Sequence, residues 1–124
     1  TASKNTSKIE LADHIDWFNN LLASKNNFIL IGCYENRDIG VVRFNNTGRN
    51  EVEISIYLVP DSIYAKGLGL KLLLTAEKWL KYNASDIITI TGFVKKNNTQ
   101  SKKMFLDAGY EINQNKIKKS IWKK

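Results

Sequence analysis

A single α/β (α+β) domain is the fold class this sequence predicts, on three observations. The stretch from Leu58 to Leu80 leaves an apolar strand, passes through Lys66-Gly67-Leu68-Gly69-Leu70 and enters a helix. Short runs rich in β-branched residues flank it on both sides, separated by clusters of Asn, Asp and Gly that read as turns. No internal repeat, linker or shift of composition divides the 124 residues, a length that suits one modest core.

Residues 1–8, TASKNTSK, are polar and read as an irregular segment, so the domain is expected over residues 9–124. Leu11 to Ala23 reads as a helix, with Leu11, Ile15, Phe18 and Leu22 on one stripe and Glu10, Asp13 and Asp16 near its positive end. Phe28–Tyr34 and Ile39–Phe44 read as strands joined in a hairpin across Glu35-Asn36-Arg37-Asp38. Asn45–Asn50 is the next turn, and Glu51–Val59 the third strand. In the helix after the glycines, Gly69, Leu72, Leu73, Ala76 and Leu80 keep the i, i+3, i+4 spacing of a buried stripe, while Lys71, Thr75, Lys78 and Tyr82 share the opposite face. Asp86–Val94 is a strand dense in β-branched residues. Asn98–Ala108 is a helix, with Gly109 placed to close it as the left-handed residue after the cap. Tyr110–Ile112 and Ile117–Trp122 form a last hairpin.

Composition excludes several classes. No apolar run approaches the 18 residues of a membrane span, and the polar start does not read as a signal peptide. Cys33, the single cysteine, lies in the apolar run Phe28–Tyr34, so a buried thiol in a cytoplasmic protein is expected. One Cys and one His argue against a structural zinc site. The formal charge of +7 suits a phosphate-rich ligand, although a Lys-, Asn- and Ile-rich composition accounts for the same charge without one. Five of the last nine residues are Lys, but Ile117, Ile121 and Trp122 alternate among them like an edge strand guarded by charges. Without aromatics interleaved on a basic strand face, a nucleic-acid module ranks last.

A strand, a glycine turn and a helix N terminus together suit an anion. The first N–H groups of a helix have no intrahelical acceptor, the dipole adds about half a positive charge, and glycine lets the main chain approach a ligand. A Walker A loop would need a Gly-Lys pair, which does not occur, and the dinucleotide fingerprint would need a third glycine where Leu72 stands. A turn with no ligand is the other reading of these residues. The run from Tyr64 through Lys66-Gly67-Leu68-Gly69 resembles motif A of the GNAT acetyltransferases, where a Gln or Arg, two residues, Gly, one residue and Gly or Ala hold the pyrophosphate of acetyl-CoA. Tyr64 stands at the Gln/Arg position. Asn98, Ser101, Phe105 and Ala108-Gly109-Tyr110 are similar to the family's later helix, which lies along the pantetheine end of the cofactor, with Phe105 where Tyr is usual.

The element order α-β-β-β-α-β-α-β-β is that of the GNAT fold from its second helix onward. The resemblance therefore implies a mixed, mostly antiparallel sheet flanked by helices and lacking the family's first strand and first helix. With Thr1 in place of a start methionine, the chain is expected to be part of a longer protein. The resemblance also implies acetyl-CoA as cofactor. Leu58, Val59, Tyr64, Lys66, Gly67, Leu68, Gly69, Leu70, Asn98, Ser101 and Phe105 would hold it, with the Leu58–Val59 backbone toward the thioester carbonyl.

His14-Ile15-Asp16-Trp17-Phe18 resembles the His-x-x-Trp-Phe segment of family members that acetylate amino sugars carried on nucleotides, as in surface-glycan pathways of the pseudaminic acid type. This implies a nucleotide-linked amino sugar as acceptor, met by His14, Trp17 and Tyr57. On a helix His14 and Trp17 would be i, i+3 neighbours, and a packed Trp beside a capping His is the other reading. On the third strand Glu51, Glu53, Ser55 and Tyr57 alternate with Val52, Ile54, Ile56 and Leu58, so one face is polar. Only a neutral amine attacks a thioester, so a base must take its proton. Glu53 stands fourteen residues before Gly67, the spacing at which the histone-acetylating branch of the family keeps its catalytic glutamate, and is the residue chosen; an ordinary strand carboxylate is the alternative. The expected function is N-acetyl transfer to that sugar. Acetylation of protein N termini or ribosomal proteins, or acyl-CoA binding without catalysis, are the rival functions. No metal, nucleic acid or membrane partner is expected, and a homodimer is compatible.

Overall fold

The computed structural model describes residues 16–21, 27–59 and 67–121. Its strands are β1 (Asp16–Leu21), β2 (Phe28–Tyr34), β3 (Arg37–Gly48), β4 (Glu51–Leu58), β5 (Thr89–Phe93), β6 (Glu111–Asn113) and β7 (Lys116–Ser120). Two helices are described, α1 (Leu68–Asn83) between β4 and β5, and α2 (Thr99–Asp107) between β5 and β6. The strands form one sheet in the order β1-β2-β3-β4-β5-β7-β6, antiparallel throughout except at β4–β5. The mixed, mostly antiparallel sheet with flanking helices is thus the observed fold.

The turns explain the register. Glu35 and Asn36 both take positive φ, 52° and 65°, the primed geometry whose twist matches a two-residue hairpin. β3 runs past the predicted end at Phe44 to Gly48, through a register shift between Asn46 and Gly48. Asn50, at φ 61°, ties that turn to the approach of β5: its carbonyl accepts from Ile88 and Thr89 N–H, and its amide donates to the Asp86 carbonyl at 2.6 Å.

The core lies between the helices and one face of the sheet. Phe28 and Leu30 of β2, Val42 and Phe44 of β3, Val52, Ile54 and Leu58 of β4 and Ile90 of β5 bury with Leu72, Leu73, Ala76, Trp79 and Leu80 of α1. Trp79 meets Phe28 edge-on at 5.1 Å between ring centroids. Gly40 marks the closest approach: a Cβ there would stand 2.8 Å from the Leu72 side chain and from the Tyr57 carbonyl. This contact seats the first turns of α1 over the end of β4. The other face carries the half-buried Glu53 and Thr91 and the exposed Arg43, Ser55, Tyr57 and Phe93.

Two expectations change. The helix read over Leu11–Ala23 is a strand where it is described: β1 pairs antiparallel with β2 from Asp16–Cys33 to Leu21–Phe28, so an edge strand does precede β2. Without β1 the outer edge of β2 would leave a row of main-chain groups unpaired, and the Trp-Phe pair suits a strand. The rest of that segment lies outside the described residues. Cys33 is half-buried rather than buried, and its thiol donates to the Asp38 carboxylate at 3.1 Å. Among the described residues no helix is long and apolar enough to cross a membrane.

Candidate active site

β4 and β5 pair only from Glu51–Thr89 to Ile54–Gly92. Beyond Gly92 they part. β4 continues along β3, whereas Val94 N–H bonds the Asn115 carbonyl in the β6–β7 turn. Val59 N–H donates to the Ile39 carbonyl at 3.0 Å on the β3 side. Strand alternation then turns the N–H groups of Ile56 and Leu58 the other way, toward the opening gap. A cleft of about 330 Å³ occupies it. β4 contributes Glu53, Ser55 and Ile56, the end of β5 contributes Phe93 to Lys95, and α2 contributes Asn98, Ser101 and Phe105.

Both ends of α2 are locked. Asn98 is the N-cap, its side-chain oxygen accepting the Ser101 N–H at 3.0 Å. At the other end Gly109 takes φ 96°, its N–H bonds the Leu106 carbonyl, and Tyr110 N–H bonds the Phe105 carbonyl at 2.9 Å. These are the two bonds of a Schellman motif, completed by the apolar contact of Phe105 with Tyr110, edge-on at 5.0 Å. Phe105 is 3% exposed, a fixed wall of the cleft with no proton to give. The Tyr110 hydroxyl points elsewhere. It is buried and, like Oε2 of Glu77, has no hydrogen-bond partner among the described residues. Burial, and then the Glu77 charge, push its ionisation far above the usual phenol range. Glu77 Oε1 accepts from Lys119 Nζ at 2.7 Å, and the same ammonium donates to the Ala108 carbonyl at the end of α2.

Gly67 caps α1 in the left-handed conformation, φ 72° and ψ 11°, and no described side chain caps the helix. The first recurrent bond is Lys71 N–H to the Gly67 carbonyl, which leaves the N–H groups of Leu68, Gly69 and Leu70 without helical acceptors. No acidic residue occupies that turn. A β-carbon at Gly67 would meet nothing within 4 Å, so the glycine is required by its φ and not by crowding.

Residues 3–110 match the sequence model of the acetyltransferase (GNAT) family. The chain belongs to the GNAT acetyltransferase family. No curated protein matches it in sequence. Among solved structures, the GNAT-family acetyltransferase of Streptococcus pneumoniae is similar at 17% identity and a TM-score of 0.66, over 81% of this chain and 70% of that one. The aminoglycoside acetyltransferase AAC(6')-Ib, solved with coenzyme A and kanamycin, is similar at 18% identity and 0.68, over 80% and 69%. The Campylobacter jejuni N-acetyltransferase PseH, solved with acetyl coenzyme A, is similar at 12% and 0.59, over 78% and 70%. At these identities what is shared is the GNAT fold.

Within this GNAT domain the residues read from sequence divide three ways. Glu53, Asn98, Ser101 and Phe105 meet around one cleft, and Gly67, Leu68, Gly69 and Leu70 form the first turn of α1. Leu58 buries its side chain in the core, and its main-chain N–H and carbonyl face the gap. Val59 is a correction, since its N–H is held by Ile39 and is not free for a carbonyl. Tyr57, 66% exposed on the open face, does not line the cleft. Tyr64, Lys66 and His14 lie outside the described residues; Trp17 lies in β1 opposite Gly32, so the helical i, i+3 pairing with His14 does not apply there. Ser55, Ile56 and Phe93 were not singled out for the cleft. Their signal was available in the alternation along β4 and in Thr89, Thr91 and Phe93 falling out of phase with Ile90 and Gly92.

Proposed function

We propose that this chain is an acetyl-CoA-dependent N-acetyltransferase whose acceptor is the amine of a nucleotide-linked amino sugar. The observation that carries the reading is the cleft at the divergence of β4 and β5, with Glu53 on one wall and the N-cap of α2 on the other. The residues fit an acyl-CoA. The uncapped first turn of α1 behind a left-handed Gly67 suits a pyrophosphate, and the wall of Asn98, Ser101 and Phe105 suits a slender pantetheine arm. When bound, acetyl-CoA supplies the acyl group as an activated thioester. The N–H groups of Ile56 and Leu58 face the gap and can donate to its carbonyl oxygen as negative charge develops there.

Glu53 takes the proton from the acceptor ammonium, because only the free amine carries the lone pair that attacks. Phe105 cannot protonate the departing sulfur. With a thiol pKa of about 8.5, that group leaves as thiolate without an acid. A similar structure, the aminoglycoside acetyltransferase with its kanamycin, favours an amine on a sugar. A cytoplasmic location accompanies the reading.

Release of free CoA thiol from acetyl-CoA, measured against amino-sugar nucleotides, kanamycin and Lys- or Ala-terminated peptides, tests it. Release with the sugar nucleotides is the expected result. Release with peptides alone would favour protein acetylation, and bound acetyl-CoA with no release for any amine would favour a binding domain.

A further inference from the structure

Beside the cleft lies a larger cavity of about 480 Å³, and Glu53 and Phe93 line both. Its walls differ in charge. Glu51 and Glu53 stand on the β4 side, Lys116 and Lys118 on the β7 side, with Thr91 and Phe93 of β5 as the floor between them. Register fixes the arrangement: Glu53 pairs with Thr91, Thr91 with Lys118, and Phe93 with Lys116. Neighbouring strands are about 4.8 Å apart, so the carboxylate row and the lysine row are separated by about 10 Å. Glu51 accepts the Thr47 hydroxyl at 3.2 Å. Glu111 of β6 faces Lys118 across the ladder and offsets part of that charge. Lys116 has Asn113 and Phe93 as cross-strand neighbours, and among the described residues neither lysine forms an ion pair.

We propose that this cavity receives the acceptor, and that Lys116 and Lys118 bind a phosphate which the acceptor carries about 10 Å from the amine presented to Glu53. The inference rests on the acyltransferase reading and narrows its substrate class. Phe93 is 62% exposed between the two rows and offers a flat apolar surface to a sugar ring. An acceptor bearing only amines would face repulsion from the lysine row, and a phosphate without an amine would leave the carboxylate row unmatched. The charge pattern selects a molecule that has both.

Calorimetric titration of UDP and of glucosamine 6-phosphate tests the subsite, on the wild-type chain, on a Lys116→Ala/Lys118→Ala double variant and on the corresponding double Arg variant. Lys116 and Lys118 are exposed and outside the core, and the melting temperature and acetyl-CoA affinity of each variant serve as folding controls. The expected result is that at least one probe binds the wild type, loses tenfold or more in the Ala variant, and is restored in the Arg variant. A response to UDP alone supports a nucleotide-linked acceptor, and a response to glucosamine 6-phosphate alone supports a sugar phosphate. Equal affinity in wild type and Ala variant, or no binding of either probe, overturns the proposal. Thiol release decides the acyltransferase reading and phosphate-probe binding decides this one, so the two can fail separately.

Discussion

Glu53 is where the two cavities meet, so in the proposed mechanism one carboxylate both faces the acceptor and takes its proton. Glu53→Gln keeps the size and removes the base. Turnover should fall by about 10²–10⁴-fold, the usual share of a general base, with acetyl-CoA affinity unchanged and the acidic limb of the pH–rate profile flattened. Near-normal turnover with an unaltered limb would take Glu53 out of the mechanism. Gly67 carries a different load. At φ 72° an Ala costs about 1 kcal/mol of backbone strain, while an Asp adds a negative charge beside the proposed pyrophosphate. Acetyl-CoA affinity, read by calorimetry, should drop far more for Gly67→Asp than for Gly67→Ala; equal losses would point to strain alone. Tyr110→Phe should change turnover less than tenfold on the same general-acid scale, because Tyr110 does not line the cleft and burial with the Glu77 charge disfavours loss of its proton.

At the scale of elements, α2 shows how local chemistry builds the site. Its N-cap Asn98 and its left-handed Gly109 hold Phe105 in place from both ends. Asn98→Ala and Gly109→Ala should each destabilise by about 1 kcal/mol in urea unfolding. The sites are about 15 Å apart along the helix, so the losses should add; a double variant losing clearly more than the sum would reveal coupling through Phe105. Such elements were legible in the sequence because their signals are local. The stripe of α1, the glycine after α2 and the strand at Phe28–Tyr34 all follow from spacing and turn chemistry. The segment Leu11–Ala23 was misread because its apolar spacing fits a helix, whereas the partner that makes Asp16–Leu21 a strand is the edge of β2, contributed by residues 28–33. Val59 was misassigned for a related reason. Whether an N–H faces β3 or the gap depends on register, and one residue of register reverses it. Lys116 and Lys118 looked like edge protection because only the order β5-β7-β6 brings them beside Glu53.

Across the whole molecule, Lys119 joins α1, β7 and the end of α2 through Glu77 and the Ala108 carbonyl. Burial holds the Glu77 carboxyl above its ordinary value of 4.5, with Lys119 opposing. The native state therefore keeps a proton that the unfolded chain has already lost. Stability from this group should fall as pH rises from about 4.5 through the folded value, then level off. Urea midpoints across that range should show the fall in the wild type and a flatter curve in Glu77→Gln; identical slopes would mean that Glu77 titrates as it does unfolded. The parting of β4 and β5 has a broader consequence. The donors facing the gap are main-chain N–H groups, which every residue except proline possesses. Side chains along that stretch can turn over while the donor half of the site persists, which accords with a shared fold at 12% to 18% identity. Glu51, Glu53, Lys116 and Lys118 sit on the opposite face of the sheet from the packed helices, so their exchange leaves the core intact. One scaffold can in this way keep its acyl donor constant and be re-addressed to new amines by surface substitution alone.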